Sequence, residues 1–122
     1  MSFMDFDNEA RKEIYARFST EPTFKELCFA IAVWRGEKGF HTPALIEETA
    51  QVNEKLMLAV TELAEACEAV RHQNIGNFKE EIADTFIRLM DLVGTMEIDI
   101  AEEIYKKMLV NESRPHKHGK VC

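Results

Sequence analysis

Apolar residues return at intervals of three and four along most of this chain, and no run of β-branched residues alternates with polar ones as a strand would require. Between about Asp7 and Phe18, charges mix with Ala10, Ile14, Tyr15 and Phe18, a spacing that predicts a short amphipathic helix. A break follows at Ser19 to Pro22. Thr23 and Glu26 then have the spacing of a capping box, and Phe24, Leu27, Cys28, Ile31 and Trp34 carry a second helix to about Gly36. The two glycines and the Thr-Pro pair of Arg35 to Pro43 predict a loop that brings Phe40 and His41 beside the helical body. Thr42 is placed to cap the next helix, with Pro43 at its first position.

From Glu54 to His72 apolar residues occupy most of a helix circumference. The exceptions form one stripe of Glu54, Thr61, Glu62, Glu65, Glu68 and His72. A turn at Gln73 to Gly76 leads to Asn77 and Glu80, a second capping-box spacing. The helix that follows has an apolar row of Ile82, Phe86, Leu89 and Val93, extended by Ala83, Ile87 and Met90, and a polar stripe of Glu81, Asp84, Arg88 and Asp91. A short turn implies antiparallel helices, and with Asn74 as midpoint Glu65 falls opposite Ala83 and Glu62 opposite Phe86. The acidic pairs Glu62/Glu65 and Glu81/Asp84 therefore sit at one level, although spacing does not fix whether they face each other. After Gly94 to Asp99, with Asp99 and Glu102 cap-like, a last helix runs through Ile104, Met108 and Leu109 to Arg114-Pro115. The expected fold is all-α, an antiparallel helical bundle in one domain spanning 1–122, with a helical extension over about 1–20 and a basic tail over about 113–122.

Composition changes this picture little. With 46% apolar residues in 122, one domain can build a core. The central helices are apolar on more than one side, which predicts completion of the bundle by a homodimer or homotetramer. A net charge of −7 excludes a general nucleic-acid-binding surface but leaves a phosphate-bearing small molecule open, because metal ions can reverse the local sign. Cys28, Cys67 and Cys122 have no metal-ligand spacing and read as reduced thiols, Cys28 and Cys67 inside apolar rows. The acidic N-terminus is unlike a signal peptide, and no segment suits a membrane span, so the expected location is the cytoplasm.

The chemistry lies in the four carboxylates. Residues three apart share a helix face, and like charges there repel unless water or a cation offsets them. An isolated acidic stripe is ordinarily a solvated face, and Arg88, four residues after Asp84, offers a plain salt bridge. Against that reading, the Glu stripe is flanked by apolar residues, lacks Lys at the balancing positions and is matched by a second pair at its own level. Such oxygen sets suit Mg²⁺ or Mn²⁺. An iron-carboxylate bundle calls for Glu-x-x-His on two helices, and none occurs. No nucleophile elbow, Gly-rich phosphate loop or zinc spacing is present. Lys107 and Asn111 share a face of the last helix, and Arg114, His118 and Lys120 continue it, so cations opposite a metal would suit a polyphosphate. Trp34 and Phe40 are ordinary core residues by type, yet their loop leaves stacking on a flat ring open.

The run TELAEACEAVR, with EIAD beginning after fifteen residues that follow Glu65, is similar to the two-part acidic signature of the MazG-type all-α nucleotide pyrophosphohydrolases, and KMLVNESRPHKHGK resembles the end of that family. The resemblance covers roughly Trp34 to Lys120. It implies that Glu62, Glu65, Glu81 and Asp84 hold Mg²⁺, that Lys107 and Asn111 contact phosphates, and that a nucleoside triphosphate is cleaved between its α- and β-phosphates. It also implies an antiparallel bundle completed by oligomerisation. Thr61 stands where many members carry an additional glutamate that is a candidate base, and Glu68 or Glu80 are the substitutes at hand. The other readings are a phosphoribosyl-nucleotide pyrophosphohydrolase and a non-catalytic helical module that oligomerises or binds a partner.

Overall fold

The computed structural model describes residues 23–114, which form four α-helices: α1 (Phe24–Glu37), α2 (Thr49–Arg71), α3 (Ile75–Thr95) and α4 (Ile100–Glu112). Among the described residues there is no strand, so the chain is all-α. The helix expected over Asp7 to Phe18, together with His116, Lys117, His118, Lys120 and Cys122, lies outside the described residues.

Three of the four helices begin on a side-chain cap. Thr23 and Glu26 form the full reciprocal capping box at α1. Asp99 accepts from the Glu102 backbone N–H at 3.3 Å to start α4. At α3 the cap is Asn74, accepting from Asn77 N–H at 3.0 Å, so the helix starts earlier than the Asn77/Glu80 spacing implies and Asn77 lies inside it. The first three helices close alike. Phe40 N–H reaches Arg35 O, Asn74 N–H reaches Ala69 O and Ile98 N–H reaches Val93 O, each the long bond of a Schellman motif. The motif needs a left-handed residue, supplied by Gly39 after α1 but by Gln73 and Glu97, both at φ 54°, after α2 and α3. A non-glycine there costs about 1–2 kcal/mol. In return the next cap follows at once, Asn74 directly after Gln73, which folds α2 and α3 into a tight hairpin.

The expected cap at Thr42 does not form. Residues 44–47 turn instead, and α2 starts at Thr49 behind Glu48, whose carboxylate accepts from the Ala44 and Leu45 N–H groups. Thr42 is drawn elsewhere by Asp91. That carboxylate is not part of a solvated stripe but only 2% exposed. It accepts from Arg35 Nε at 2.7 Å, Thr42 Oγ1 at 2.6 Å and Thr95 Oγ1 at 3.3 Å. A buried carboxylate requires such partners. The knot ties the α1–α2 loop to α3, and the Arg35 guanidinium also lies 4.3 Å over the Phe40 ring.

α1 packs on α3 through Cys28, Ile31 and Met90, with Leu27, Ile87, Val93 and Ile100 around them. Gly94 sits where the two backbones nearly touch, since a Cβ added there would lie 2.4 Å from Cys28 O. As α1 advances from Cys28 to Arg35, its partner on α3 falls back from Gly94 to Asp91. The two helices are therefore antiparallel.

α2 meets α3 along Val52, Ala59, Glu62, Ala66 and Ala69, steps of three, four and seven that form a coiled-coil-like seam. Small alanines bring the backbones close. One position further round α2 lie Leu56, Val60, Leu63, Cys67 and Val70, all exposed, and one position round from Thr85 and Arg88 on α3 lie Phe86 and Leu89, also exposed. Of the expected row Ile82, Phe86, Leu89 and Val93, Phe86 and Leu89 are exposed and Ile82 is half-buried, while Val93 joins Ile87 and Met90 on the side of α3 that meets the core. Cys67 is likewise exposed, not buried in an apolar row. α4 touches α1 through a small contact, and only Ile100 of its residues is more than superficially covered. No helix among the described residues is long and apolar enough to cross a membrane.

Candidate metal centre

The seam between α2 and α3 contains charge where a helical pair ordinarily buries apolar side chains. Glu62 occupies a packing position on α2 and is 9% exposed. Glu81 stands across from it on α3, one turn from the buried Thr85, whose hydroxyl donates to Glu81 O at 2.8 Å. With Asp84, three residues on, oxygens of all three carboxylates lie within 4.8 Å of one another. The helix rotation that spacing alone left open therefore turns the acidic pairs toward each other.

Glu65 joins this group through Glu81. The Glu81 carboxyl is pushed up to about 7, first by its hydrogen-bonding approach to Glu65, then by that to Glu62, then by burial and the two negative charges. Burial raises Asp84 too, reinforced by Glu62, Glu65 and Glu80 and partly relieved by the Arg88 charge. Glu62 goes the other way. Burial pushes its carboxyl up, but hydrogen bonding with Glu81 and Arg88 and the Arg88 charge outweigh it and hold the group below the usual carboxylate range. Arg88 Nε donates to Glu62 Oε1 at 3.0 Å. The expected Arg88–Asp84 pair is thus replaced by one that crosses the seam.

One atom tests whether a cation fits. Glu81 Oε2 is buried and no donor among the described residues reaches it. Its near neighbours are carboxylate oxygens, so a shared proton, a bound water or a cation is needed to satisfy it. An all-oxygen, mainly anionic set of this kind suits hard divalent cations as a class and offers no soft sulfur or imidazole ligand. The donor set fits a hard divalent ion.

The remaining expected site residues stand apart from this cluster. Trp34 is half-buried on α1, and its Nε1 is buried without a partner among the described residues. His41 is exposed in the following loop, 3.8 Å from Glu48. Both flank the Arg35 and Thr42 anchors on Asp91, which is two helical turns, roughly 10 Å, along α3 from Asp84. Lys107, Asn111 and Arg114 lie on or just beyond α4, and among the described residues no ion pair or side-chain hydrogen bond joins them to the carboxylates. Of the two candidate bases, Glu68 is engaged by His72 at 2.9 Å and Arg71 at 3.4 Å. Glu80 forms no ion pair among the described residues, and its charge is felt at Asp84. Thr61 Oγ1 donates to Met57 O within its own helix.

Arg88 and Asp91 are the residues that spacing misjudged. A half-buried cation and a buried anion on one polar stripe look like surface charge until the helix rotation is known. Spacing offered Arg88 both Asp84 and Asp91 on its own helix and gave no sign that each would pair with another helix instead. No protein-family model, curated protein or solved structure matches this chain.

Proposed function

We propose that the protein is a Mg²⁺-dependent nucleoside triphosphate pyrophosphohydrolase that releases a nucleoside monophosphate and pyrophosphate. The observation that carries the reading is the convergence of Glu62, Glu81 and Asp84 within 4.8 Å, with Glu65 against Glu81, along the edge of a helical seam. Surface glutamates repel one another apart, whereas packing holds Glu62 and Glu81 in the seam beside the exposed Glu65 and Asp84. The signature resemblance stated above makes the reaction specific. No comparison adds to it.

Glu62, Glu65, Glu81 and Asp84 would hold the ion or ions. Bound there, Mg²⁺ neutralises the phosphate oxygens and stabilises charge developing on the leaving pyrophosphate. Glu80, exposed beside Asp84 and without an ion pair among the described residues, is the better placed carboxylate to take the proton of the attacking water, since Glu68 is committed to His72. Trp34 and His41 would border the base. Lys107, Asn111, Arg114 and Lys120 would hold the phosphate tail, which needs α4 brought to the cluster from its own or another chain. That requirement, with the uncovered apolar side of the hairpin, supports a homodimer or homotetramer as the working form.

The test is incubation with Mg²⁺ and a panel of ribo- and deoxyribonucleoside triphosphates, resolving monophosphate from diphosphate and pyrophosphate. At least one substrate should yield monophosphate and pyrophosphate in equal amounts. Glu81→Gln should lose more than the roughly 10–100-fold that outer-shell changes cost metal sites. No monophosphate from any triphosphate, or full activity in Glu81→Gln, would refute the proposal.

A further inference from the structure

We propose that Arg88 is an internal counter-ion of the carboxylate cluster. It holds Glu62 in the arrangement that receives a divalent cation and gives up part of that carboxylate when the cation binds. The inference rests on the metal-centre reading and extends it to a residue outside the acidic signature.

Among the described residues, the two ion pairs set into the helix contacts are built differently. Asp91 is closed, with donors from Arg35, Thr42 and Thr95 on its two oxygens and 3% side-chain exposure. Nothing further can approach it. Glu62 is 11% exposed in its side chain and receives one donor, Arg88 Nε, on Oε1 alone. Arginine and carboxylate commonly pair through two parallel bonds, but this contact engages one oxygen. Glu62 Oε2 accepts from no cationic or hydroxyl side chain among the described residues, and in the cluster beside it Glu81 Oε2 also lacks a donor among them.

The reach of Arg88 is a second indication. Asp84 lies one turn before it on the same helix, the partner that geometry makes nearest. Arg88 instead crosses to α2, with 25% of its side chain exposed, and leaves Asp84 without an ion pair among the described residues. The Arg88 guanidinium thus bonds the most enclosed carboxylate of the cluster, which repulsion from Glu81 and Asp84 would otherwise displace from the seam. A pair meant only for packing would be closed as Asp91 is. This one offsets the repulsion and keeps an oxygen available.

The experiment compares thermal midpoints of the full chain, Arg88→Met, Glu62→Gln and the double variant, each in EDTA and in saturating Mg²⁺ or Mn²⁺. In EDTA, Arg88→Met should lie about 5–10 °C below the wild type, the shift expected of roughly 1–2 kcal/mol in a domain of this size. Saturating metal should raise Arg88→Met by more than it raises the wild type and close at least half of that gap, because the ion takes over the neutralisation of Glu62. The double variant should melt above Arg88→Met in EDTA, since the uncompensated charge is gone. Should Arg88→Met not fold, Arg88→Lys, which keeps the charge with a different donor geometry, should show a smaller gap that closes in the same way.

An equal gap with and without metal would overturn the proposal and make Arg88 a packing residue, leaving the metal centre intact. Additive single-variant effects would overturn it as well. Failure of wild type and Arg88→Met alike to respond to either ion would overturn the metal centre itself, and this inference with it.

Discussion

Glu81 shows how a few oxygens set the behaviour of the whole cluster. Its carboxyl is pushed up to about 7, mainly by Glu65 and Glu62. Because the folded value is raised above the ordinary one near 4.5, the contribution of this group to stability is complete below about pH 4.5 and is lost as pH rises through about 7. A cation reverses the preference, since it binds the ionised form and displaces the proton. Divalent-ion affinity should therefore rise through pH 6 to 8, and binding near pH 6.5 should release a proton. Calorimetric titration with Mn²⁺ in buffers of different ionisation enthalpy measures this directly, and a buffer-independent heat with pH-independent affinity would contradict it. The convergence of the carboxylates was partly legible in the sequence: pairs three apart on two antiparallel helices fall at about one level. Their counter-ion was not. Spacing assigned Arg88 to Asp84, and only the rotation of α3 about its axis, set by Gly94 and the Asp91 knot, sends it across to Glu62.

Among the elements, α1 and α4 were the easiest to read, because Thr23/Glu26 and Asp99/Glu102 act locally and no tertiary demand competes with them. Thr42 shows the opposite case. It has the residue type and the following proline of a helix start, but the unmet valence of Asp91 claims its hydroxyl, and α2 begins only at Thr49. The packing of α1 on α3 depends on Gly94. A Cβ there would stand 2.4 Å from Cys28 O and 2.8 Å from Cys28 C, both backbone atoms that cannot turn aside. Gly94→Ala should consequently cost about 1–3 kcal/mol despite the better helix propensity of alanine. Urea denaturation should show a lower midpoint at unchanged slope, whereas a stabilised variant would mean that α1 is free to shift. The same displacement would disturb Trp34 and the Asp91 anchor, so any activity should fall with it.

At the scale of the molecule, the α2–α3 hairpin has two unlike sides. In antiparallel helices, one position further along each chain from the seam turns to the same side, so Leu56, Val60, Leu63 and Val70 of α2 share a surface with Phe86 and Leu89 of α3. Glu65 and Asp84 turn to the other side. Leu63 and Phe86, 46% and 55% exposed, lie at the centre of the apolar side. The six residues together leave on the order of 500 Å² of apolar surface in water, near the largest patches monomers carry, about 300–600 Å². A second hairpin laid face to face would cover it and, with flanking Met57 and Ile75, approach the roughly 800 Å² per partner of a stable interface. Such a pair leaves both carboxylate clusters on the outside, open to solvent. We therefore expect a dimer in sedimentation equilibrium at micromolar concentration. Phe86→Glu should shift it to monomer and lower its melting midpoint, whereas Glu65→Gln, on the other side of the hairpin, should leave association unchanged. A wild-type chain that sediments as a monomer at all concentrations would remove this interface, and a dimer that survives both Phe86→Glu and Leu63→Glu would place it elsewhere, with the exposed Ile104, Tyr105 and Met108 of α4 the next surface to test.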